Sequence, residues 1–104
     1  MSAASAPPVL HAERREMGIS HADFHRVFPR LVSEAEAEFD TAGACIRWAD
    51  GRRLVVRLAA ERERRIALLR LPVTDVHFEF TAFPAAARDA FLARFDRAFQ
   101  KGGG

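Results

Sequence analysis

Large apolar residues recur at every fourth position near the carboxyl end of the chain, at Phe91, Phe95 and Phe99. Positions four apart lie on one side of an α-helix, so the three rings form an apolar stripe that needs a hydrophobic partner surface. Pro84 precedes this pattern, at a position that suits the first turn of a helix. The pattern therefore predicts an amphipathic helix from Pro84 to Lys101.

A second helical pattern lies near the amino end of the chain. Ser20 followed by Asp23 has the form of a capping box, in which each side chain accepts a backbone N–H of the other residue. Pro29 removes one backbone donor within the pattern, so the predicted helix either ends near Phe28 or bends there. The apolar positions at helical spacing are Phe24, Val27, Phe28 and Leu31.

The pair Asp50-Gly51 between two apolar runs is typical of a β-hairpin. With a two-residue turn, the numbers of paired residues would add up to 101, and the apolar side chains of the two strands would point to opposite faces. A three-residue loop with Gly51 in the left-handed region changes that number to 100 and places Ile46 opposite Leu54. We therefore predict the bulged hairpin, in which one face is shared by Ile46, Trp48, Leu54, Val56 and Leu58.

Alternation of polar and apolar residues predicts two further strands. Residues 34–39 alternate Glu with Ala or Phe, which favours an edge strand, although the same segment could extend a helix. Residues 76–81 alternate in the way that a half-exposed strand does.

The segment between the hairpin and residue 76 is ambiguous. The run from Glu61 to Arg65 is rich in charged residues with high helix propensity, whereas residues 66–71 form a short apolar run that a proline follows. We favour a charged loop at 59–63, a strand over 66–71 and a hairpin turn from Pro72 to Thr74.

Together these elements predict an α+β fold in two layers: an antiparallel β-meander of four to five strands, with an N-terminal and a C-terminal helix packed on one face. A chain of 104 residues suits a single core. Residues 1–16 contain little apolar bulk and two prolines, and we interpret them as a flexible N-terminal arm. The α+β domain then covers residues 17–101, and residues 102–104 form a glycine tail.

Composition restricts the function less than the high isoelectric point suggests. Sixteen basic residues face fourteen acidic ones, which leaves a net charge of +2, and Lys101 is the only lysine. Such a preference for arginine is typical of GC-rich genomes, so the arginine count is weak evidence for phosphate binding. Because the chain has no apolar run near 20 residues, no secretory signal pattern and a single cysteine, Cys45, we expect a cytoplasmic protein without a membrane partner.

The sheet face that the helices leave open is the docking surface that we expect. Sheets that bind RNA usually expose aromatic rings on such a face, whereas Trp48, Phe78 and Phe80 belong to the apolar side of this sheet. We therefore expect a protein partner or self-association rather than nucleic acid. The candidate partner-binding residues are Arg47, Arg53, Arg57, His77 and Glu79.

Two other patterns are candidates for a functional site, one for metal binding and one for a carrier-type tail. His21 and His25 lie one helical turn apart, a spacing with which two imidazoles can bind one metal ion, but a third ligand is missing nearby and simple packing at the edge of the helix explains both. Gly102, Gly103 and Gly104 could form a flexible tail of the kind that some carrier proteins use, although glycine after a helix is also an ordinary stop signal.

No nucleophile with an adjacent base, carboxylate pair or phosphate-binding loop is evident in the sequence, so we expect a non-enzymatic protein without a cofactor. The hypothesis is a small accessory or adaptor domain that associates with a protein through its exposed sheet face or an edge strand. The alternatives are a carrier or modifier protein that acts through the glycine tail, and an RNA-contacting module that uses the arginine-rich sheet face.

Overall fold

Six antiparallel strands and two helices make up the part of the chain that the structure, a computed structural model, describes, which is residues 10–102. In chain order these elements are β1 (Leu10–Met17), α1 (His21–Leu31), β2 (Glu36–Asp40), β3 (Gly43–Arg47), β4 (Arg53–Leu58), β5 (Arg62–Ile66), β6 (Leu69–Thr81) and α2 (Ala85–Gly102). The sheet order is β1-β6-β4-β3-β2, and β5 pairs with β6. The predicted α+β class and antiparallel sheet are confirmed, with six strands in place of four or five.

Strand β1 corrects the prediction of a flexible arm over residues 1–16. Leu10 to Met17 pair with β6 along their whole length, from Leu10 opposite Thr81 to Met17 opposite Thr74. The alternate side chains that face inward are half-buried, and three of the four are His11, Glu13 and Arg15 rather than apolar residues. The local sequence therefore lacks the apolar alternation by which strands are identified. Residues 1–9 lie outside the described part of the chain.

Helix α1 begins at the predicted capping box. The Asp23 N–H donates to Ser20 Oγ over 3.0 Å, and the Ser20 N–H donates to Asp23 Oδ2 over 3.1 Å. The helix continues past Pro29 as far as Leu31, because a proline this close to the carboxyl end costs one hydrogen bond and leaves less than a turn to disrupt. Its apolar stripe places Phe24 and Phe28 fully inside the core.

The β3–β4 hairpin has the predicted bulged register. Ile46 lies opposite Leu54, and the Trp48 N–H donates to the carbonyl of Arg52 over 3.0 Å. Gly51 has a φ of +99° and donates its N–H to the carbonyl of Trp48 over 3.1 Å. These contacts confirm that Gly51 occupies the left-handed region within a three-residue loop.

Both helices cover one face of the sheet, and the core between the two layers is largely aromatic. Phe95 of α2 lies 5.0 Å from Phe78 of β6 and 4.6 Å from Phe99, measured between ring centroids. Phe28 of α1 meets the same ring at 6.1 Å, so the two helices and the sheet share one cluster. The predicted stripe of Phe91, Phe95 and Phe99 is buried, with no ring more than 4% exposed. Between residues 10 and 102, neither helix has the length and apolar character that crossing a bilayer requires.

The longest strand, β6, extends beyond the sheet and there pairs with β5 alone. In the pairing with β6, the two residue numbers of each pair add up to 134 along β4 and to 135 along β5. The link between Leu58 and Arg62 therefore contains one residue more than the segment of β6 that faces it. The Ala59 N–H donates to the carbonyl of Asp75 over 2.9 Å, which keeps this link beside β6. β4 and β5 thus form one long, bulged partner of β6.

This arrangement corrects the predictions for residues 59–74. Arg62 and Glu63 begin β5 instead of lying in a charged loop, and the hairpin turns at residues 67–68 rather than from Pro72 to Thr74. Pro72 lies inside β6, opposite Glu63. A proline is tolerated there because one edge of β6 has no partner strand along the ribbon. A residue without an N–H loses no hydrogen bond when its nitrogen faces that edge.

Candidate protein-interaction surface

The end of the β5–β6 hairpin carries large aliphatic side chains that nothing in the described chain covers. We call β5, the turn at residues 67–68 and Leu69–Val73 of β6 the ribbon. Every residue from Ala60 to Leu71 is exposed, and the described chain reaches 62 Å along its longest axis against 25 and 22 Å along the others. The exposed fractions are 52% for Ile66, 100% for Leu68, 61% for Leu69 and 40% for Leu71.

One face of the ribbon is apolar and the other is polar. Directly opposite residues share a face, so Ile66 and Leu69 lie on the same side as Arg64 and Leu71. The other side carries Arg65 opposite Arg70 and Glu63 opposite Pro72. Because side chains alternate along β6, the apolar face of the ribbon continues into the face of the sheet that the helices do not cover. We call that uncovered side of the sheet the outer face.

Both edges of the ribbon are free within residues 10–102. β5 pairs with β6 on one side, and the β1 pairing of β6 ends at Thr74, before the ribbon begins. A two-stranded hairpin with exposed apolar residues is only marginally stable in water. Unpaired strand edges are also a template for pairing with another chain. The ribbon therefore combines apolar contact area with unused backbone hydrogen-bonding groups.

Ion pairs hold the base of the ribbon against β1 and β6. Arg62 Nη2 lies 2.6 Å from Glu16 Oε2, and its Nη1 lies 3.3 Å from Asp75 Oδ2. Arg64 contacts Glu16 at 3.3 Å, and Arg14 contacts Asp75 at 3.5 Å. Single exposed pairs contribute little free energy, but a network that spans three strands limits how the ribbon can swing. The ribbon thus projects in a defined direction.

The structure places all five predicted partner-binding residues on the outer face, and all five are exposed. Arg47 lies opposite Arg53, and Arg57 lies opposite His77. Glu79 occupies the same face of β6 two residues further along. The outer face also holds carboxylates that sequence reasoning did not assign to it, in Glu16, Glu36, Glu38, Asp40 and Asp75.

These carboxylates make the outer face mixed in charge rather than basic. Arg57 lies 3.6 Å from Asp40, and Arg47 lies 3.9 Å from Glu38. A carboxylate beside each of these two arginines lowers the positive potential that phosphates would require. The geometry of this face therefore favours a partner that presents both signs of charge, as a protein surface does.

Strand β2 forms the acidic edge of the sheet. Four carboxylates and no basic residue occupy positions 34–40, in Glu34, Glu36, Glu38 and Asp40. Phe39 is 38% exposed there and packs against the rings of His25 and Phe28, each at 6.2 Å. β2 pairs with β3 on one side, and its other edge has no partner strand in the described part of the chain.

The start of the acidic edge is fixed by a tryptophan. The Trp48 Nε1–H donates to Glu34 Oε2 over 3.0 Å, and this hydrogen bond lowers the pKa of the Glu34 carboxyl. The Arg52 guanidinium lies 5.0 Å from the centroid of the Trp48 ring and 5.1 Å from that of Phe83, a cation–π arrangement. A shallow depression at this end of β2 is lined by Ser33, Glu34, Ala35, Glu36, Arg47, Trp48 and Ala49.

The two histidines considered as metal ligands bind backbone instead. His21 Nε2 lies 2.8 Å from the carbonyl oxygen of Ala59, and the ring nitrogens of His25 lie 2.9 and 2.7 Å from the carbonyl oxygens of His21 and Asp40. A nitrogen that donates to a carbonyl offers no lone pair to a metal ion, and among the four ring nitrogens only Nδ1 of His21 lacks such a contact within the described residues. Over residues 10–102, no cluster of three or more His, Cys, Asp or Glu side chains is arranged for metal binding.

The remaining sequence candidates contribute little to this surface. Helix α2 extends to Gly102, and Gly103 and Gly104 of the predicted tail lie outside the described residues. Cys45 is half-buried on the outer face and unbonded. Sequence reasoning missed Leu68 and Leu69, because it assigned their segment to a strand without asking which face was covered. The arginines around them were the available signal, since a buried strand would have to bury those charges too.

Comparisons of the chain with protein-family models, with curated proteins and with solved structures find no match. The function is therefore inferred from the geometry of the described residues.

Proposed function

We propose that this protein is a small, non-enzymatic accessory or adaptor domain that binds a protein through the ribbon and the adjoining outer face. The observation that carries the proposal is the end of the ribbon, where Ile66, Leu68, Leu69 and Leu71 are 40–100% exposed while both edges of the ribbon are free within the described residues. A contiguous exposed apolar patch rimmed by charge is typical of a protein-binding site.

The energy available from this surface is adequate for association. Complete burial of one aliphatic side chain is worth about 1.5–3 kcal/mol, so covering Ile66, Leu68, Leu69 and Leu71 would contribute several kcal/mol in total. Addition of a strand to a free edge would supply backbone hydrogen bonds as well. The ion pairs between Arg62 and both Glu16 and Asp75 hold the ribbon in place, which reduces the entropy lost on binding.

Charge supports a protein rather than a nucleic acid as the partner of the outer face, because Glu38 lies beside Arg47 and Asp40 lies beside Arg57 on that face. The unbonded Cys45 suits the reducing cytoplasm, which is the compartment that we propose.

Removal of the apolar ribbon tip tests the proposal. The double variant Leu68→Ser/Leu69→Thr removes the two most exposed aliphatic side chains of the ribbon, and Ala90→Ser/Ala93→Thr is the control because both alanines are exposed on α2, on the other side of the sheet. We expect wild type and the control variant to associate, either with themselves in sedimentation velocity or with a defined host protein after immobilisation. The double variant should do neither while keeping the wild-type circular dichroism spectrum.

Two results would overturn the proposal. One is a folded double variant that associates as strongly as wild type. The other is a wild-type chain that stays monomeric and retains no host protein, but binds single-stranded RNA with a steep dependence on salt.

A further inference from the structure

We infer that the partner is a second copy of this chain, and that the basic ribbon of each copy pairs with the acidic β2 edge of the other about a two-fold axis. The inference deepens the proposed function and rests on it. Three independent properties of the two segments support it: their charge, their direction and length, and their position along the sheet.

The two free edges carry opposite charge. Residues 62–70 contain four arginines and one glutamate, a net charge of +3, whereas residues 34–40 contain four carboxylates and no basic residue. Unlike charges at a shared edge favour association, and like charges at the same positions would oppose it. A ribbon is therefore repelled by another ribbon and attracted by β2.

Direction and length also match. β2 and β4 are each antiparallel to β3, so β2 runs in the same direction as β4 and its continuation β5. A two-fold axis perpendicular to the sheet reverses that direction, and it therefore places β5 of one copy antiparallel to β2 of the other. Both strands are five residues long. Because each copy has one ribbon and one β2 edge, the two contacts form together and close the assembly as a dimer.

The positions of the two strands along β6 agree with this symmetry. The ladder pairings place Glu36 level with Thr81, at one end of β6, and Ile66 level with Leu69 at the other end. Asp75 lies midway between these two ends in the sequence of the strand. A two-fold axis at the level of Asp75 therefore brings β5 of one copy beside β2 of the other.

The same axis brings Arg62 opposite Asp40 of the second copy, Arg64 opposite Glu38 and Ile66 opposite Glu36. All six of these side chains lie on the outer face of their own copy, so the charged groups meet on the same side of the extended sheet. Beyond Ile66 the turn would reach the depression at the start of β2, where Ser33 and Trp48 offer a place for Leu68. Opposite charges in register and an apolar tip at a depression are the complementarity that a specific interface needs.

The test is a charge swap between two single variants, Glu38→Arg and Arg64→Glu. Each variant alone would place like charges at both copies of the contact, and we expect its dimer dissociation constant to rise by at least about tenfold. In an equimolar mixture, the reversed ribbon of one variant meets the reversed edge of the other, and the wild-type ribbon meets the wild-type edge. The mixture should therefore form heterodimers of about wild-type affinity.

Sedimentation velocity across a concentration series measures these affinities, and circular dichroism verifies the fold of each variant. Asp89→Arg and Arg97→Glu make the same changes in net charge on exposed positions of α2 and serve as matched controls. Each control variant should have the dimer dissociation constant of the wild-type chain.

Each other outcome overturns the inference. Folded single variants that dimerise like wild type would exclude this pairing, and so would a mixture that does not regain affinity. A monomeric wild-type chain that binds a different host protein through its ribbon would overturn the self-pairing and leave the proposed function intact. A monomeric chain that binds neither itself nor a protein would overturn both.

Discussion

The two ends of β6 contain similar numbers of large apolar residues but use them in opposite ways. From Val76 to Phe80 the apolar side chains point toward the helices and are fully buried, and the polar ones point outward. In the ribbon, Leu69 and Leu71 point to the outer face and remain exposed. The apolar side chains of β6 therefore switch from one face of the sheet to the other partway along the strand.

The change occurs at Val73 and Thr74, which are consecutive and both buried. The Thr74 hydroxyl donates to the carbonyl of Ile19 over 2.9 Å, which satisfies the buried polar atom. On one side of this point the strand belongs to a two-layer core, and on the other it belongs to a hairpin without a covering layer in the described chain. Apolar side chains stabilise the fold in the first region, and in the second they are available for binding.

The largest effect on stability should follow from Phe95→Ala. Phe95 is fully buried and packs against Phe28, Phe78 and Phe99, so the substitution removes a ring from the contact between α1, α2 and the sheet. We expect a loss of about 3–5 kcal/mol in the free energy of unfolding, measured by urea denaturation at low protein concentration.

Leu71→Ala in the ribbon is the control that completes the comparison. Because Leu71 is 40% exposed, its loss should cost about 1 kcal/mol or less under the same conditions. Equal costs for the two variants would mean that the ribbon is covered in the isolated chain, and the contrast between the two ends of β6 would then be wrong.

Elements that pack one face against the helices were predictable from the sequence. The bulged hairpin followed from a single requirement, that Ile46 and Leu54 share a face, and both residues are at most 1% exposed. The capping box of Ser20 and Asp23 was recognisable because its two hydrogen bonds are local. In both cases the residues whose interaction decides the structure lie within about ten positions of each other in the sequence.

Elements that depend on distant polar contacts were not predictable. Inward-facing Arg15 of β1 is matched by Asp96 of α2 at 3.4 Å, a residue near the other end of the chain. A strand stabilised by such pairs and by the backbone of β6 has no apolar alternation to identify it. Pro72 misled the prediction for a related reason, because the effect of a strand proline depends on how many neighbouring strands it has.

The candidate site was predictable in part. Residues of the outer face, such as Arg57 and His77, were placed together because their alternation follows from the buried residues between them. The apolar ribbon tip was missed, since an apolar run alone does not show whether a second layer covers it. That information lies in the length of β6 beyond Thr74, where the pairing with β1 ends.

The next largest effect should follow from Gly43→Ala, at the start of β3. Gly43 has a φ of +150°, and a Cβ atom there would lie 1.9 Å from the carbonyl oxygen of Val56. Backbone would have to move to accommodate it, and we expect a loss of about 3 kcal/mol in the free energy of unfolding, measured by thermal and urea denaturation.

Gly51 is the matched comparison, because it has a φ of +99° but open space around the position of a Cβ atom. The change Gly51→Val should therefore cost about 1–2 kcal/mol, through backbone strain alone. An unchanged stability of Gly51→Val would contradict the bulged register of the hairpin, and a Gly43→Ala variant of wild-type stability would contradict the close approach of β3 and β4.

A smaller, pH-dependent effect should follow from Glu34→Gln. The hydrogen bond from Trp48 Nε1–H lowers the pKa of the Glu34 carboxyl. The ionised form of Glu34 is therefore more stable, relative to the protonated form, in the folded state than in the unfolded state. A depressed carboxyl pKa contributes stability above the unfolded value, about 4, and that contribution disappears as the pH falls through the folded value. Because Glu34 is exposed, we expect a cost near 1 kcal/mol at pH 7 and a smaller cost at pH 3.

Urea denaturation at the two pH values measures this difference. Asp89→Asn, which changes a carboxylate on the exposed side of α2, is the control and should show no comparable difference. A Glu34→Gln cost that is the same at pH 3 and pH 7 would mean that the carboxylate does not hold the tryptophan at the start of the acidic edge.

The smallest effect on the isolated chain, and the one that separates the two ends of β6 most clearly, should follow from Leu68→Ser. Leu68 is 100% exposed, so in dilute solution the substitution should change the free energy of unfolding by no more than about 0.5 kcal/mol. At high concentration the wild-type chain should gain stability, because association favours the folded state by mass action, and the variant should not. Thermal denaturation over a hundredfold range of protein concentration measures both the stability in dilute solution and the gain in stability on association. A variant that loses stability equally at every concentration would assign Leu68 to the fold, whereas a loss confined to concentrated samples identifies a side chain whose apolar area is used in binding.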